Sequence, residues 1–317
     1  MKKVILVIGF VMCLLLVQAQ TRRQMGGVYC AYPFTEVETG KTLSIEKYED
    51  EDNLVLEGYT PFYISHYGRH GSRWMPHDDR YTWVNRHFED VSNLTPLGKK
   101  VRKILWRVWD NAQGNGGKLS KLGALQHRGI ANRMYQRFPH IFATGNRVTA
   151  RSSVVDRCAK SMLAFTDELH HLQPSLTMDV KTDSADMAWI AYTSPEEKAL
   201  GNRTKVTPKV STDRFMHLLF KDISKIDDPM KLMGEMQAIT SSIQDVGLNF
   251  KSYPKDIEEQ LNALFTDEEF RAFYEANNKR MTICNGDDLY NEQIPMRSAV
   301  SLWHHIRDDA DRALASG

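Results

Sequence analysis

The stretch of sequence that decides the fold is a short run containing two glycines, His66-Tyr67-Gly68-Arg69-His70-Gly71-Ser72-Arg73. It overlaps the end of residues 61–67, which are aromatic and β-branched, a composition typical of a buried strand. The two glycines predict that this strand runs into a tight loop. Because open α/β sheets bind ligands beyond the carboxyl ends of their strands, the loop is the first candidate for a binding site.

The side chains of this loop suit an anion. Arg69 and Arg73 can each present a planar guanidinium fork to phosphate oxygens, and the glycines let backbone N–H groups come close to a ligand. The neutral imidazole of His70, between the two arginines, would be placed to attack phosphorus. His66 either orients the loop, touches a substrate or is a buried structural histidine. Taken alone, the three residues Arg69-His70-Gly71 are also compatible with a solvated basic turn.

Helices and strands alternate after the loop. Apolar spacing over residues 119–138 predicts a helix, and residues 147–151 predict a second short strand. Another helix should follow at once, since Ser153 and Asp156 have the spacing of a capping box. This alternation predicts an α/β fold with a mixed, mostly parallel sheet flanked by helices.

The rest of the chain favours helices. Residues 174–295 are charged and contain methionines but few strand signals, which predicts an inserted all-α cap domain. A last helix over residues 296–314 is expected to pack on the core through one apolar face, formed by Ala299, Val300, Trp303, Ile306, Ala310 and Leu314. We therefore predict an α/β core of residues 20–173 plus 296–317, interrupted by the cap at 174–295.

The first residues have the organisation of a secretory signal peptide, predicted over residues 1–19. A short basic head precedes a fourteen-residue apolar run, too short for a membrane span of about 20 residues. We expect an exported protein, periplasmic or secreted, with no membrane attachment after cleavage; an uncleaved anchor is the alternative. Cys30, Cys158 and Cys284 would remain, which allows at most one disulfide, and no Cys or His spacing resembles a structural zinc site.

Composition excludes several classes of protein. A chain of 317 residues with 42% hydrophobic and 26% charged residues is an ordinary globular protein, not a disordered, collagenous or polytopic membrane protein. Its formal net charge of +1 disfavours a basic nucleic-acid binder, so no nucleic-acid partner is expected.

Two motifs together resemble one family. Residues 69–73, Arg-His-Gly-Ser-Arg, are similar to the Arg-His-Gly-x-Arg signature of the histidine phosphatase superfamily, in its acid phosphatase and phytase branch. Residues 151–157 are similar to the strand-to-helix segment that supplies another phosphate-binding arginine in this family, which here falls on Arg157.

A weaker third motif lies between these two. Leu119 to Gly123, with Gln126, is like the helix start found there in the family. Over residues 58–172 the chain is most like the bacterial multiple inositol polyphosphate phosphatase-type enzymes.

The resemblance implies a phosphoric monoester hydrolase. His70 would attack phosphorus to form a phosphohistidine, and Arg69, Arg73 and Arg157 would hold the phosphate oxygens without a metal or other cofactor. Phytate, other inositol polyphosphates or other small organic phosphates would be the substrates. Phosphoryl transfer needs mainly positioning and positive charge, which is what this loop offers.

The family's general acid is not found in the sequence. Relatives carry it in a His-Asp or His-Ala-Glu motif on a late strand, whereas the late histidines here, His304 and His305, fall in the predicted last helix. We expect that the chain stops short of this motif and that hydrolysis is impaired, since a general acid contributes about 10²–10⁴ in rate.

Three alternatives stay open at this point. A catalytically dead phosphatase scaffold would bind phosphate or a polyanion without hydrolysing it. A phosphotransferase or mutase of the same superfamily is disfavoured by the export signal and by Arg73. A metallohydrolase built on His66, His70 and His77 would have few carboxylates nearby. The sequence leaves the oligomeric state and the preferred ester undetermined.

Overall fold

The computed structural model describes residues 22, 24–30, 58–143, 145–247 and 256–316. Its regular elements, besides three short 3₁₀ turns, are α1 (Asp79–Arg86), α2 (Pro96–Ala112), α3 (Lys121–Arg137), β1 (Arg147–Ser152), α4 (Asp156–Leu172), β2 (Thr177–Thr182), α5 (Met187–Ile190), α6 (Pro195–Arg203), α7 (Asp213–Leu219), α8 (Pro229–Val246), α9 (Asp256–Asn262), α10 (Asp267–Asn285), α11 (Ile294–Ser298) and α12 (Val300–Ser316). The predicted signal peptide lies outside the described residues.

The two strands form a parallel pair. β1 aligns with β2 from Arg147 opposite Thr177 to Ser152 opposite Thr182, and α4 makes the crossover between them, as a parallel pair requires. The α/β class and the parallel pairing are confirmed. β2, however, falls inside residues 174–295, where the sequence predicted helices and few strands.

The predicted buried strand over residues 61–67 is wrong. These residues form no regular element, and Phe62 and Tyr67 are 60% and 59% exposed. A strand exists only when its backbone groups have a partner, and β1 and β2 pair only with each other among the described residues. The segment is instead held by single contacts, such as the hydrogen bond between His140 Nε2 and the Pro61 carbonyl oxygen at 2.8 Å.

The helices on either side of β1 are confirmed, but one cap is not. Ser120 begins α3 by accepting a hydrogen bond from the Gly123 N–H at 3.1 Å. α4 begins after Val155 without a side-chain cap, so the predicted capping box does not form. Asp156 instead pairs with Lys160, one turn further on, at 2.9 Å.

A large apolar core lies among helices that are far apart in sequence. Trp74 and Leu105, from the range predicted as α/β core, are buried in the same cluster as Phe215, Met233 and Phe270, from the range predicted as cap. The domain boundaries stay a prediction, and the packing of this cluster runs across them.

The last helix does not bury the predicted apolar face. Val300, Trp303 and Leu314 are 46%, 62% and 68% exposed, so the expectation of core packing is wrong. α12 contacts α5 through other residues: the ring of His305 stacks on Trp189 with the centroids 4.3 Å apart.

Two further features bear on the sequence predictions. The three cysteines Cys30, Cys158 and Cys284 are free thiols in the structure. Among the described residues, every helix is too short or too polar to cross a membrane.

Candidate active site

Side chains from four parts of the chain line one cavity of about 310 Å³. Residues 68–73 form one wall, and α3 contributes Gln126, His127 and Ile130. Asp245 comes from the end of α8, and residues 28–30 come from the end of the N-terminal 3₁₀ turn (Gln24–Tyr29) and the residue after it. The structure thus gathers the predicted binding loop and residues distant in sequence around a single space.

A contact between two glycines seats the loop on α3. A methyl group on Gly71 would lie 2.3 Å from the carbonyl oxygen of Gly123, and one on Gly123 would lie 2.2 Å from the carbonyl oxygen of Ser72. Real side chains never approach backbone this closely, so both positions need glycine. This close approach explains the glycine in the loop and the one at the start of the helix.

Hydrogen bonds also hold the loop against α3 and α4. The Gly71 N–H donates to Ser161 Oγ in α4 at 3.1 Å, and the Ser72 N–H donates to Gln126 Oε1 at 2.8 Å. The Ser72 carbonyl oxygen accepts from the Ser120 N–H at 2.9 Å. The loop backbone is therefore held by α3 and α4.

The ring of His70 has a defined tautomer. Its Nδ1 lies 2.8 Å from the carbonyl oxygen of Gly71, and because a carbonyl can only accept, Nδ1 carries the hydrogen and Nε2 carries the lone pair. Burial lowers the pKa of His70 to about 4, opposed by the Gly71 hydrogen bond and assisted by the positive charges of Arg69, Arg157 and Arg73. Near neutral pH the ring is uncharged and Nε2 is nucleophilic.

Two of the predicted arginines present unsatisfied donors. The Nε atoms of Arg73 and Arg157 are buried and have no hydrogen-bond partner among the residues that the structure describes. Arg73 Nη1 donates to the Trp74 carbonyl oxygen at 2.7 Å, which holds the guanidinium in place. Arg69 is more exposed, and its Nη1 donates to the Val28 carbonyl oxygen at 3.2 Å. Buried donors without partners are the arrangement expected where an anion binds.

Arg157 stands slightly apart from the other two. It does not line the cavity, and its Nη1 lies 3.5 Å from the carbonyl oxygen of Gly117. Its charge still lowers the pKa values of both His70 and Arg73. Arg157 is the second residue of α4, at the end of the helix where the backbone dipole also favours an anion.

The other histidines considered from the sequence differ in whether they line the cavity. His66 lines the cavity and stacks on Phe165, with ring centroids 5.5 Å apart and planes 6° apart, so it both touches the site and packs structurally. His77 does not line the cavity, and neither do the late histidines His304 and His305. Within the described part of the chain, no group of three or more His, Cys, Asp and Glu residues could hold a metal ion.

The cavity residues that the sequence did not indicate include His127 and Asp245, as well as Val28 and Tyr29. His127 hydrogen-bonds to the backbone of Arg69, and burial with repulsion from His66 lowers the pKa of its ring to about 4. Asp245 accepts a hydrogen bond from Ser72 Oγ at 2.8 Å. The position of His127 next to Gln126 was a signal that sequence reasoning could have used. Nothing in the sequence near Asp245 points to the loop, which is 173 residues away.

Three solved structures of one phosphatase are similar to this chain. Bifidobacterium longum multiple inositol polyphosphate phosphatase in complex with inositol hexasulfate matches with a TM-score of 0.61 and 14% identity, over 84% of this chain and 74% of that chain. The apo form matches with a TM-score of 0.60 and 15% identity, over 82% and 71% of the two chains. The complex with phosphate matches with a TM-score of 0.61 and 14% identity, over 78% and 68%.

These matches show that the chain shares its fold with a phosphatase. Neither a protein-family model nor a curated protein matches the sequence.

Proposed function

We propose that this protein is an exported histidine phosphatase that hydrolyses phosphomonoesters through a phosphohistidine on His70. The observation that carries the proposal is the neutral imidazole with a free Nε2 lone pair beside guanidiniums whose buried Nε donors have no partner among the described residues. An ester phosphate would supply the missing acceptors and place its phosphorus within reach of Nε2.

The first chemical step exchanges one bond to phosphorus for another. Nε2 of His70 forms a bond to phosphorus while the bond from phosphorus to the ester oxygen breaks, and the leaving oxygen takes a proton. Arg69, Arg73 and Arg157 stabilise the charge on the three equatorial oxygens as it redistributes. Water then attacks the phosphohistidine, releases inorganic phosphate and restores neutral His70.

The proton for the leaving group has no assigned donor. Among the described residues, Asp245 is the single carboxyl that lines the cavity, and its Oδ1 accepts a hydrogen bond from Ser72. We expect aryl phosphates, which leave readily without a proton, to be cleaved much faster than alkyl phosphates or phytate. Similar rates on both classes would point to an efficient proton donor.

Inositol polyphosphates are the proposed natural substrates. The proposal draws on the match to an enzyme whose structures were determined with phosphate and with inositol hexasulfate. It also draws on the three arginines around the cavity, which suit a small, highly anionic ester. Release of inorganic phosphate from phytate, compared with release from a sugar monophosphate, tests this preference.

The enzymatic proposal is tested with a His70→Ala variant. Wild-type protein should hydrolyse p-nitrophenyl phosphate, while H70A should lose turnover but still bind inorganic phosphate, because the arginines remain. A wild-type protein that binds phosphate and shows no turnover with any ester would instead be a catalytically dead phosphate or polyanion binder.

Export is proposed from the leader sequence, residues 1–19. A chain carrying this leader should be recovered outside the cytoplasm of a bacterial host with its N-terminus beginning near Gln20. Recovery in the cytoplasm with the leader uncleaved would contradict export.

A further inference from the structure

Asp245 is a buried carboxylate in a cavity that is otherwise lined by cations and neutral groups. It is 4% exposed, it lies in the last turn of α8, and it is the single acidic residue lining the cavity among those that the structure describes. Burying a carboxylate is costly unless charge and hydrogen bonds compensate it. The hydrogen bond from Ser72 Oγ provides part of this compensation, and Arg69 and Arg73 line the same cavity.

Asp245 accepts a hydrogen bond from Ser72, the residue that connects the two halves of the binding loop. Ser72 lies between Gly71, whose carbonyl sets the tautomer of His70, and Arg73, one of the anion-binding side chains. Its hydroxyl donates to Asp245 Oδ1 at 2.8 Å. Rotation or displacement of the Ser72 peptide would therefore move the nucleophile and a guanidinium together.

Every polar group of Ser72 is engaged. The N–H donates to Gln126 at 2.8 Å, and the carbonyl oxygen accepts from both the N–H and the hydroxyl of Ser120 at 2.9 Å. Those partners belong to the start of α3, whereas Asp245 belongs to α8. The hydroxyl is thus the one group of Ser72 that ties the loop to α8.

The helix that carries Asp245 is a rigid support. Ile243 and Val246, on either side of it, are 0% and 1% exposed and belong to the large apolar core. A group attached to such a helix holds its partner to within a small displacement, and a misplaced reacting group costs rate even when binding survives.

We propose that Asp245 is a positioning residue, which fixes Ser72 against α8 and so sets the distance from His70 Nε2 and Arg73 to the bound phosphate. This inference rests on the proposed phosphatase function and adds to it a third helix, α8, that holds the loop. Proton donation to the leaving group is the competing role for Asp245, and substitutions of Asp245 and Ser72 distinguish it from positioning.

The test compares Asp245→Ala, Ser72→Ala, the double variant and Asp245→Asn. D245A and S72A should each lower kcat for p-nitrophenyl phosphate about tenfold, and the double variant should lose no more than the more damaged single variant, because both single variants remove the same Ser72–Asp245 hydrogen bond. D245N should retain most of the rate, since its amide oxygen can accept the same hydrogen bond. The loss should be the same factor for an aryl and an alkyl phosphate.

A second residue of α8 supplies the control. Thr240→Val removes a buried hydroxyl of the same helix, which donates to the Met236 carbonyl oxygen at 2.8 Å within the helix, and should leave kcat unchanged. Equal damage in D245N and D245A, with a larger loss for alkyl phosphates, would overturn positioning in favour of proton donation. Additive losses, or a D245A variant as active as wild type, would also overturn it.

The affinity for inorganic phosphate, measured by calorimetry on the same proteins, distinguishes failure of the phosphatase proposal from failure of the positioning role of Asp245. If the wild type binds phosphate without turnover, D245A and S72A should still weaken phosphate binding, non-additively, because Arg73 is displaced. If the wild type neither binds phosphate nor turns over, the phosphatase proposal is wrong and the positioning role falls with it. Melting temperatures measured alongside identify any variant that fails to fold.

Discussion

Nδ1 of His70 lies 2.8 Å from the carbonyl oxygen of Gly71, so the residue that follows the candidate nucleophile fixes its tautomer. Gly71 is itself fixed by its close packing on Gly123 and by the hydrogen bond from its N–H to Ser161. The orientation of the imidazole is therefore a property of the loop backbone, held by two helices.

Activity should fall in acid because protonation removes the Nε2 lone pair. With the pKa of His70 at about 4, kcat/KM for p-nitrophenyl phosphate, corrected for titration of the ester, should be constant above pH 5 and fall about tenfold per pH unit below 4. A bound phosphate dianion favours the imidazolium, so the acid limb of kcat should lie at higher pH than that of kcat/KM. An acid limb of kcat/KM near pH 6.5 would contradict the buried, arginine-flanked environment.

The glycine contact should be intolerant of a methyl group. Gly123→Ala places its Cβ 2.2 Å from the Ser72 carbonyl oxygen, and we expect a loss of about 1–3 kcal/mol in the free energy of unfolding together with reduced activity. Gly201→Ala is the matched control, since it is also helical and nothing lies within 4 Å of the added group. G201A should be neutral or slightly stabilising in the same denaturant titration, and a G123A protein like wild type would rule out the close approach.

Lysine should not substitute for Arg73 or Arg157, whose Nε atoms are buried. Arg73→Lys and Arg157→Lys keep the charge but lose the Nε donor and the planar fork, so phosphate affinity should fall about 10- to 100-fold, the equivalent of one charge-assisted hydrogen bond. Arg107→Ala, on the exposed surface of α2, removes a full charge away from the cavity and serves as the control. If R107A weakened phosphate binding as much as R73K, long-range charge and not local geometry would govern affinity.

Stability should decline as the pH falls from about 6.5 to about 4. His70 and His127 have folded-state pKa values of about 4, below the value of 6.5 in the unfolded chain, so the unfolded state binds more protons across this window. The contribution of these two histidines to folding stability is fully present above pH 6.5. It is lost as the pH falls towards 4, because proton binding favours the unfolded state. His127→Gln removes one of the two groups and should make the pH dependence of the unfolding free energy shallower; an unchanged slope would contradict the assignment for His127.

Local sequence signals predicted the elements that depend on neighbours in the chain. The spacing of apolar residues predicted α3, and the turn at Gly145 placed β1 to within one residue. The loop motif likewise brought Arg69, His70 and Arg73 to one cavity, as predicted from their closeness in sequence.

The errors came from features that depend on distant partners. Residues 61–67 have the composition of a strand, but a strand forms only where another backbone lies alongside, and the sequence does not reveal which one. The apolar face of α12 has the spacing of a core helix, yet burial is decided by what packs against it. Asp245 contacts Ser72 across 173 residues, a distance over which no local pattern applies.

The most direct test of the central proposal is to trap the covalent intermediate. Wild-type protein and H70A are mixed with an aryl phosphate labelled in its phosphoryl group, denatured within milliseconds in alkali, where phosphohistidine survives, and analysed by mass spectrometry of peptides. We predict a phosphoryl group on His70 in the wild type and none on H70A. Turnover by the wild type with no phosphorylated His70 peptide, or turnover retained by H70A, would contradict the proposed mechanism.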